Sequence, residues 1–146
     1  MTTLDHRLSH DEYYTAMLRL VAARSTCVRR AVGAIIVDAK GRVLSTGYNG
    51  VPSGFPHCIE FPCAGANDAK GDTSRCMAVH AEMNAILQCS RLEHAATIYV
   101  SCTPCFTCAK LIANTGVKRV VVLEEYADVL GRDVLERAGI RISVCK

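Results

Sequence analysis

Residues 101–108 read SCTPCFTC and set three cysteines, Cys102, Cys105 and Cys108, three apart. Two overlapping C-x-x-C pairs result, and such a pair can hold a metal, form a redox couple or pack in a core. Upstream, HAE sets His80 and Glu82 two apart. One imidazole and two thiolates make three protein ligands for a tetrahedral Zn²⁺. Three ligands leave the fourth position open to water, the arrangement of catalytic rather than structural zinc. Glu82 is too near His80 along the chain to be the natural fourth ligand. It can still lean toward the bound water, where a carboxylate shuttles protons.

These residues need elements to position them. PCFTCAKLIANTG reads as a helix with Pro104 at its opening and Gly116 past its end. Cys105 and Cys108 then share one helical face, at the positive end that favours thiolates. Cys102 lies at the end of the preceding strand ATIYVS, before Pro104, and does not share that face. The Cys105–Cys108 register is therefore the metal pair, and Cys102 a neighbouring thiol. HAE falls in MAVHAEMNAILQCSR, which reads as a helix.

The rest of the chain builds the scaffold. DEYYTAMLRLVAAR, from residue 11 to about 24, is an amphipathic helix with Tyr14, Met17, Leu18 and Val21 on one stripe. VGAIIVD and RVLSTGY read as strands, joined into a hairpin by AKG. VKRVVVLE is a strand, ADVLGRDVLERAG a helix weakened by Gly131, and IRISVC a short last strand. Helix and strand alternate in the second half, which favours parallel pairing after the opening hairpin. The pattern is that of one α/β layered domain over residues 1–146, with a mixed five-stranded sheet.

Between the hairpin and the HAE helix, residues 49 to about 77 carry glycines, prolines and cysteines with no period. A structureless loop of that length needs an organiser. Cys58, Cys63 and Cys76 lie in it, and Cys27 precedes the first strand. These four suit a closed structural zinc site, with His57 an alternative to one of the cysteines. Cys89 and Cys145 read as core thiols. The chain has 146 residues, half of them hydrophobic, nine cysteines and a net charge of +3. That charge is too mild for a nucleic-acid face but suits a small anion. The N-terminal residues lack an apolar signal core, and no apolar run is long enough to span a membrane, so a cytoplasmic protein is expected. A reducing compartment turns the cysteines toward metal or catalysis rather than disulfides.

H-x-E followed by P-C-x-x-C resembles the zinc deaminase signature. With STCVRRAVGAIIV, STGYNGVPSGFPHC, HAEMNAIL, TIYVSCTPCFTCAKLI and GVKRVVVLEEY in order, the chain resembles the cytidine/deoxycytidylate deaminase superfamily, and within it the dCMP deaminases, from about Ser25 to Tyr126. The resemblance implies a three-layer α/β/α cytidine deaminase-like fold. It also implies hydrolytic deamination of dCMP to dUMP and ammonia, on a catalytic zinc held by His80, Cys105 and Cys108, with Glu82 as proton shuttle. Some members carry a second zinc in the loop region. The asparagine of GYNG, here Asn49, would contact the sugar, and Ser25 with Arg29 or the adjacent Arg30 the 5′-phosphate. Tyr126 would close over the site. Cys102 departs from the family pattern. The family is typically homohexameric, and many members are activated by dCTP and inhibited by dTTP.

Two rival readings remain. A deaminase of another substrate, such as dCTP, guanine or tRNA adenosine, would share HAE and PCxxC, but GYNG and the cysteine loop argue against it. A non-enzymatic zinc module would have no use for Glu82 beside an open coordination position.

Overall fold

The computed structural model describes residues 6–126 and 129–146. Its elements run α1 (His10–Ala22), β1 (Gly33–Asp38), β2 (Val43–Tyr48), α2 (Ala81–Gln88), a 3₁₀ turn at Leu92–His94, β3 (Ala95–Cys102), α3 (Phe106–Ala113), β4 (Arg119–Glu124), α4 (Val129–Arg137) and β5 (Arg141–Val144). The sheet order is β2-β1-β3-β4-β5. β1 is antiparallel to β2 and β3, while β3, β4 and β5 are parallel. β2 therefore runs the same way as β3, and only β1 runs against the rest. The mixed five-stranded sheet is the one expected from the alternation of helix and strand.

Side chains alternate across the sheet with a period of two. On one face Ile35, Val37, Tyr99 and Val121 pack with Tyr14 and Leu18 of α1. On the other, Ala34, Ile36, Ile98, Val100, Val120 and Val122 pack with Ala81 and Ala85 of α2, Ala109 and Ile112 of α3, and Leu135 of α4. The layers are thus one helix, the sheet, and three helices. α1 begins in a capping box: the Ser9 hydroxyl accepts from the Glu12 N–H at 3.2 Å, and the Glu12 carboxylate accepts from the Ser9 N–H at 2.7 Å. Asp11 in its first turn meets Arg119 on β4, 2.5 Å from Nη2, and accepts the Tyr99 hydroxyl at 2.7 Å.

Three local expectations shift. The HAE helix starts at Ala81, not Met77: residues before it stay extended because Val79 pairs with Gly50 in an isolated antiparallel bridge. The PCFTC helix starts at Phe106, so Pro104 lies before the N-cap, Cys105. Gly131 is not a weak point of α4. A Cβ there would sit 2.2 Å from the Pro104 carbonyl oxygen, so the glycine lets α4 press against the α3 N-terminus.

Candidate active site

β2 and β3 point the same way, so the segments leading to α2 and α3 leave the same edge of the sheet, where ligands of α/β proteins gather. His80 is the N-cap of α2, with extended backbone at φ −68° and ψ 153°. Cys105 is the N-cap of α3, and Cys108 lies three residues on, in its first turn. The two helix starts converge. Nδ1 of His80 lies 3.3 Å from Sγ of Cys108 and 3.5 Å from Sγ of Cys105. Ligand atoms of the three residues all fall within 4.8 Å of one another. Among the described residues this is the one group of three or more such side chains.

The thiols are not equivalent. The Cys105 thiol is drawn down to about 4, mainly by the hydrogen bond from Cys108, helped by His80 and the Cys108 backbone N–H against burial. Cys108 is held above the ordinary thiol range by that same bond and by burial. His80 is raised, chiefly by its bond to Cys105. An imidazole and two sulfurs, one already favouring the thiolate, form a donor set that fits a borderline-soft divalent cation such as Zn²⁺. Glu82, two residues into α2, is 4 % exposed. Burial pushes its carboxyl above the usual range, although its own backbone N–H and His80 pull the other way. A carboxyl raised by burial takes up a proton more readily than an ordinary carboxylate, as a group that must act first as base and then as acid requires.

Neighbouring contacts seat α2. Asn84 Nδ2 donates to the Tyr48 carbonyl at 2.8 Å, and the Ser45 hydroxyl to the Ala85 carbonyl at 2.7 Å. Gly47 leaves no room for a side chain, since a Cβ would lie 2.4 Å from both the Ala81 oxygen and the Ala85 nitrogen.

The residues expected at the substrate divide into two sets. Ser25 and Asn49 serve backbone. The Ser25 hydroxyl contacts the carbonyls of Asn49 and Arg30 at 3.0 and 3.1 Å. Asn49, 7 % exposed, accepts the Val32 N–H on Oδ1 at 2.9 Å and donates from Nδ2 to the Arg30 carbonyl at 3.0 Å. Arg29 and Arg30 diverge, as consecutive side chains of an extended segment do. Arg29 donates to the carbonyls of Gly65, Ala69 and Asp72 at 3.1, 3.2 and 2.8 Å. It therefore organises the cysteine loop. Arg30 lines a cavity of about 420 Å³ together with Cys102, Glu124 and Tyr126. Its guanidinium lies 4.6 Å above the Tyr126 ring, and Tyr126 N–H donates to the Thr103 hydroxyl at 3.0 Å. The role of Arg29 was invisible in sequence because nothing in RR says which side meets the loop. Thr103, buried beside Pro104, gave only a weak signal.

The loop cysteines converge in part. The Cys63 N–H donates to the Cys58 sulfur at 3.4 Å. The Cys63 thiol is lowered, first by the Met77 N–H and then by those of Gly65 and Ala66 and the Cys58 thiol, against burial. Cys27 donates its N–H to the Ser25 hydroxyl, and Cys76 its own to the Thr73 carbonyl. His57 is exposed, with its carbonyl in a turn to Glu60 and Phe61. Cys89 caps the C-terminal end of α2, and the Cys145 sulfur lies 3.9 Å from the Thr15 hydroxyl.

Residues 8–124 match the family pattern of the cytidine and deoxycytidylate deaminase zinc-binding region. The chain is 43 % identical over 122 residues to the deoxycytidylate deaminase of Mycobacterium phage D29, covering 79 % of this chain and 94 % of that one. It is 39 % identical over 142 residues to the deoxycytidylate deaminase of Saccharomyces cerevisiae, covering 93 % of this chain but only 45 % of the yeast protein. The crystal structure of the cyanophage S-TIM5 dCMP deaminase in complex with dCMP and dUMP superposes with a TM-score of 0.76 at 31 % identity, over 96 % of this chain and 100 % of that one.

Proposed function

The chain belongs to the cytidine and deoxycytidylate deaminase family, and on that premise we propose that it hydrolyses dCMP to dUMP and ammonia, supplying dUMP for thymidylate formation. His80, Cys105 and Cys108 hold the zinc, which when bound supplies Lewis acidity toward water. Glu82 takes a proton from the attacking water on its carboxylate. It passes that proton to ring N3 as water adds at C4, then takes the second proton of the added water from the C4 hydroxyl and delivers it to the leaving amine, which departs as ammonia. A site that needs one group to act as base and then as acid needs a carboxyl with a raised pKa, and burial raises that of Glu82.

One observation carries the reading: the buried Glu82 carboxyl stands in the same helix start as His80, whose ring meets the two thiols of α3. A closed structural site would have no use for it. Glu82→Gln keeps its zinc and loses nearly all turnover of dCMP, followed by the absorbance change on deamination. A variant that stays active refutes the mechanism. A screen of dCMP, dCTP, deoxycytidine and guanine ranks dCMP first; preference for another of these moves the chain to a different substrate class within the fold.

At the substrate, the exposed guanidinium of Arg30 meets the 5′-phosphate and Tyr126 closes over it, while Arg29 holds the loop. Ser25 and Asn49 fix the backbone that presents Arg30, and the second Nδ2 hydrogen of Asn49 is left for the sugar.

A second, structural zinc is held by Cys27, Cys58, Cys63 and Cys76, with His57 an alternative ligand. The adjacency of Cys58 and Cys63, and the N–H groups aimed at the Cys63 sulfur, support it. Metal analysis then gives two zincs per chain, and a value of one removes this site. No helix among the described residues is long and apolar enough to cross a membrane. A cytoplasmic homo-oligomer, with a hexamer favoured, activated by dCTP and inhibited by dTTP, completes the proposal. Sedimentation tests the assembly. A hyperbolic dCMP curve unmoved by dCTP removes the regulation.

A further inference from the structure

We infer that Cys102 is a positioning residue for the anionic end of the substrate, acting through Arg30. The inference rests on the dCMP reading and goes beyond it, since that reading makes Cys102 neither a metal ligand nor a substrate contact. Three elements meet at this point. Cys102 ends β3, Arg30 lies in the segment before β1, and Tyr126 follows β4. Nη2 of Arg30 donates to the Cys102 sulfur at 3.0 Å, while the guanidinium lies 4.6 Å above the Tyr126 ring. The backbone on either side is also fixed. The Arg30 carbonyl is held by Asn49 Nδ2, and the Tyr126 N–H by Thr103, the residue after Cys102. All three side chains line the same cavity of about 420 Å³.

The choice of sulfur matters. Arg30 is exposed and would otherwise sample many rotamers, whereas Cys102 is 8 % exposed and rigidly placed at a strand end. An acceptor there orients the guanidinium. A carboxylate would do the same but would cancel the charge that an anion needs. Burial pushes the Cys102 thiol up to about 11, so near neutral pH it is an uncharged acceptor and leaves the positive charge of Arg30 available. Glu124 is the acidic residue lining the cavity, and Arg19 adds a second guanidinium.

The test measures kcat and KM of zinc-loaded enzyme for dCMP and for deoxycytidine, together with calorimetric binding of dUMP and deoxyuridine. Cys102→Ala and the space-filling Cys102→Val remove the acceptor. Each is expected to raise KM for dCMP about tenfold, as befits one charge-assisted hydrogen bond, and to weaken dUMP in step. The kcat values and all deoxynucleoside constants stay unchanged. Cys102→Ser restores KM to within about twofold of the parent. Cys102→Asp keeps an acceptor yet raises KM, because it neutralises Arg30. Zinc content and melting temperature confirm that each variant is folded. An unchanged KM for dCMP in both Ala and Val variants overturns the inference. So does an equal rise for dCMP and deoxycytidine, or a Ser variant no better than Ala. Failure of the underlying reading shows separately, as absence of dCMP turnover in the parent enzyme, and it takes this inference with it.

Discussion

Gly131→Ala sets two principles against each other. Within a helix, alanine is favoured over glycine by about 1 kcal/mol, so on propensity alone the substitution stabilises α4. The structure gives the opposite sign. The new Cβ would lie 2.2 Å from the Pro104 carbonyl oxygen and 3.2 Å from the Cys105 carbonyl carbon. An ordinary contact is about 3.5 Å, so something must retreat by roughly 1 Å. The obstacle is backbone, not the end of a flexible side chain, which places the cost near the upper end of the usual overpacking range, about 3 kcal/mol. The net expectation is a loss of about 2 kcal/mol, or roughly 5–8 °C in Tm for a chain of this size. The displaced carbonyl is that of Pro104, joined directly to Cys105 at the N-cap of α3, so the His80, Cys105 and Cys108 cluster is disturbed as well. Urea unfolding of metal-free protein reads the stability, and competition with a chelator reads zinc affinity, which falls. A variant as stable as the parent, or more stable, would refute the argument that α4 is seated by this close approach.

The same logic at Gly47→Ala predicts a weaker seat for α2 and a lower kcat with zinc retained, since the Cβ meets Ala81 and Ala85 backbone; unchanged turnover would count against it. Asp11→Asn removes the carboxylate that bridges α1 to Arg119 and Tyr99, for a loss of about 2 kcal/mol at neutral pH. The Asp11 pKa is lowered, chiefly by the Arg119 hydrogen bond, below its ordinary 3.8. The stabilisation is therefore full above pH 3.8 and is lost as pH falls through the folded value. Urea melts of metal-free parent and variant should thus converge in acid, and a gap that does not shrink rejects the linkage. Arg29→Ala frees three loop carbonyls, so limited proteolysis between residues 65 and 72 should accelerate. If Arg29 instead binds phosphate, its KM for dCMP rises far more than that for deoxycytidine.

Legibility in the sequence followed the range of the physics. The apolar stripe of α1 and the two-residue period of β1, β3 and β4 are local patterns, and they gave helices, strands and a mixed sheet. The His80, Cys105 and Cys108 set was legible because spacing and helix starts are local too. The starts themselves were off by up to four residues. Val79 pairs with Gly50 across the long loop, and no local propensity reports such a partner. The facing of Arg29 and Arg30 was not legible for the same reason. In an extended segment they must diverge, but which one meets the loop depends on residues some forty positions away. Gly131 was misjudged because propensity sees the helix and not the backbone pressed against it.

Two of the three candidate ligands, His80 and Cys105, sit at helix N-caps, and the third, Cys108, lies in the first turn of α3. An N-cap side chain looks back along the axis toward unsatisfied N–H groups. Cys105 occupies that position in α3, where the Cys108 thiol and His80 hold its sulfur toward the thiolate. His80 occupies it in α2, which turns its Nδ1 toward the thiols across the gap between the helices. Glu82 lies just inside the same helix start, where the positive end of the axis favours its charged form. Yet its carboxyl is raised, so burial outweighs the dipole there. Similar helix ends thus give opposite outcomes. The partly exposed Cys105 is kept ionised, ready to bind a cation, and the enclosed Glu82 is kept within reach of a proton. The difference follows from the partners each group meets: the Cys108 thiol and His80 outweigh burial at Cys105, whereas burial outweighs the backbone N–H and His80 at Glu82.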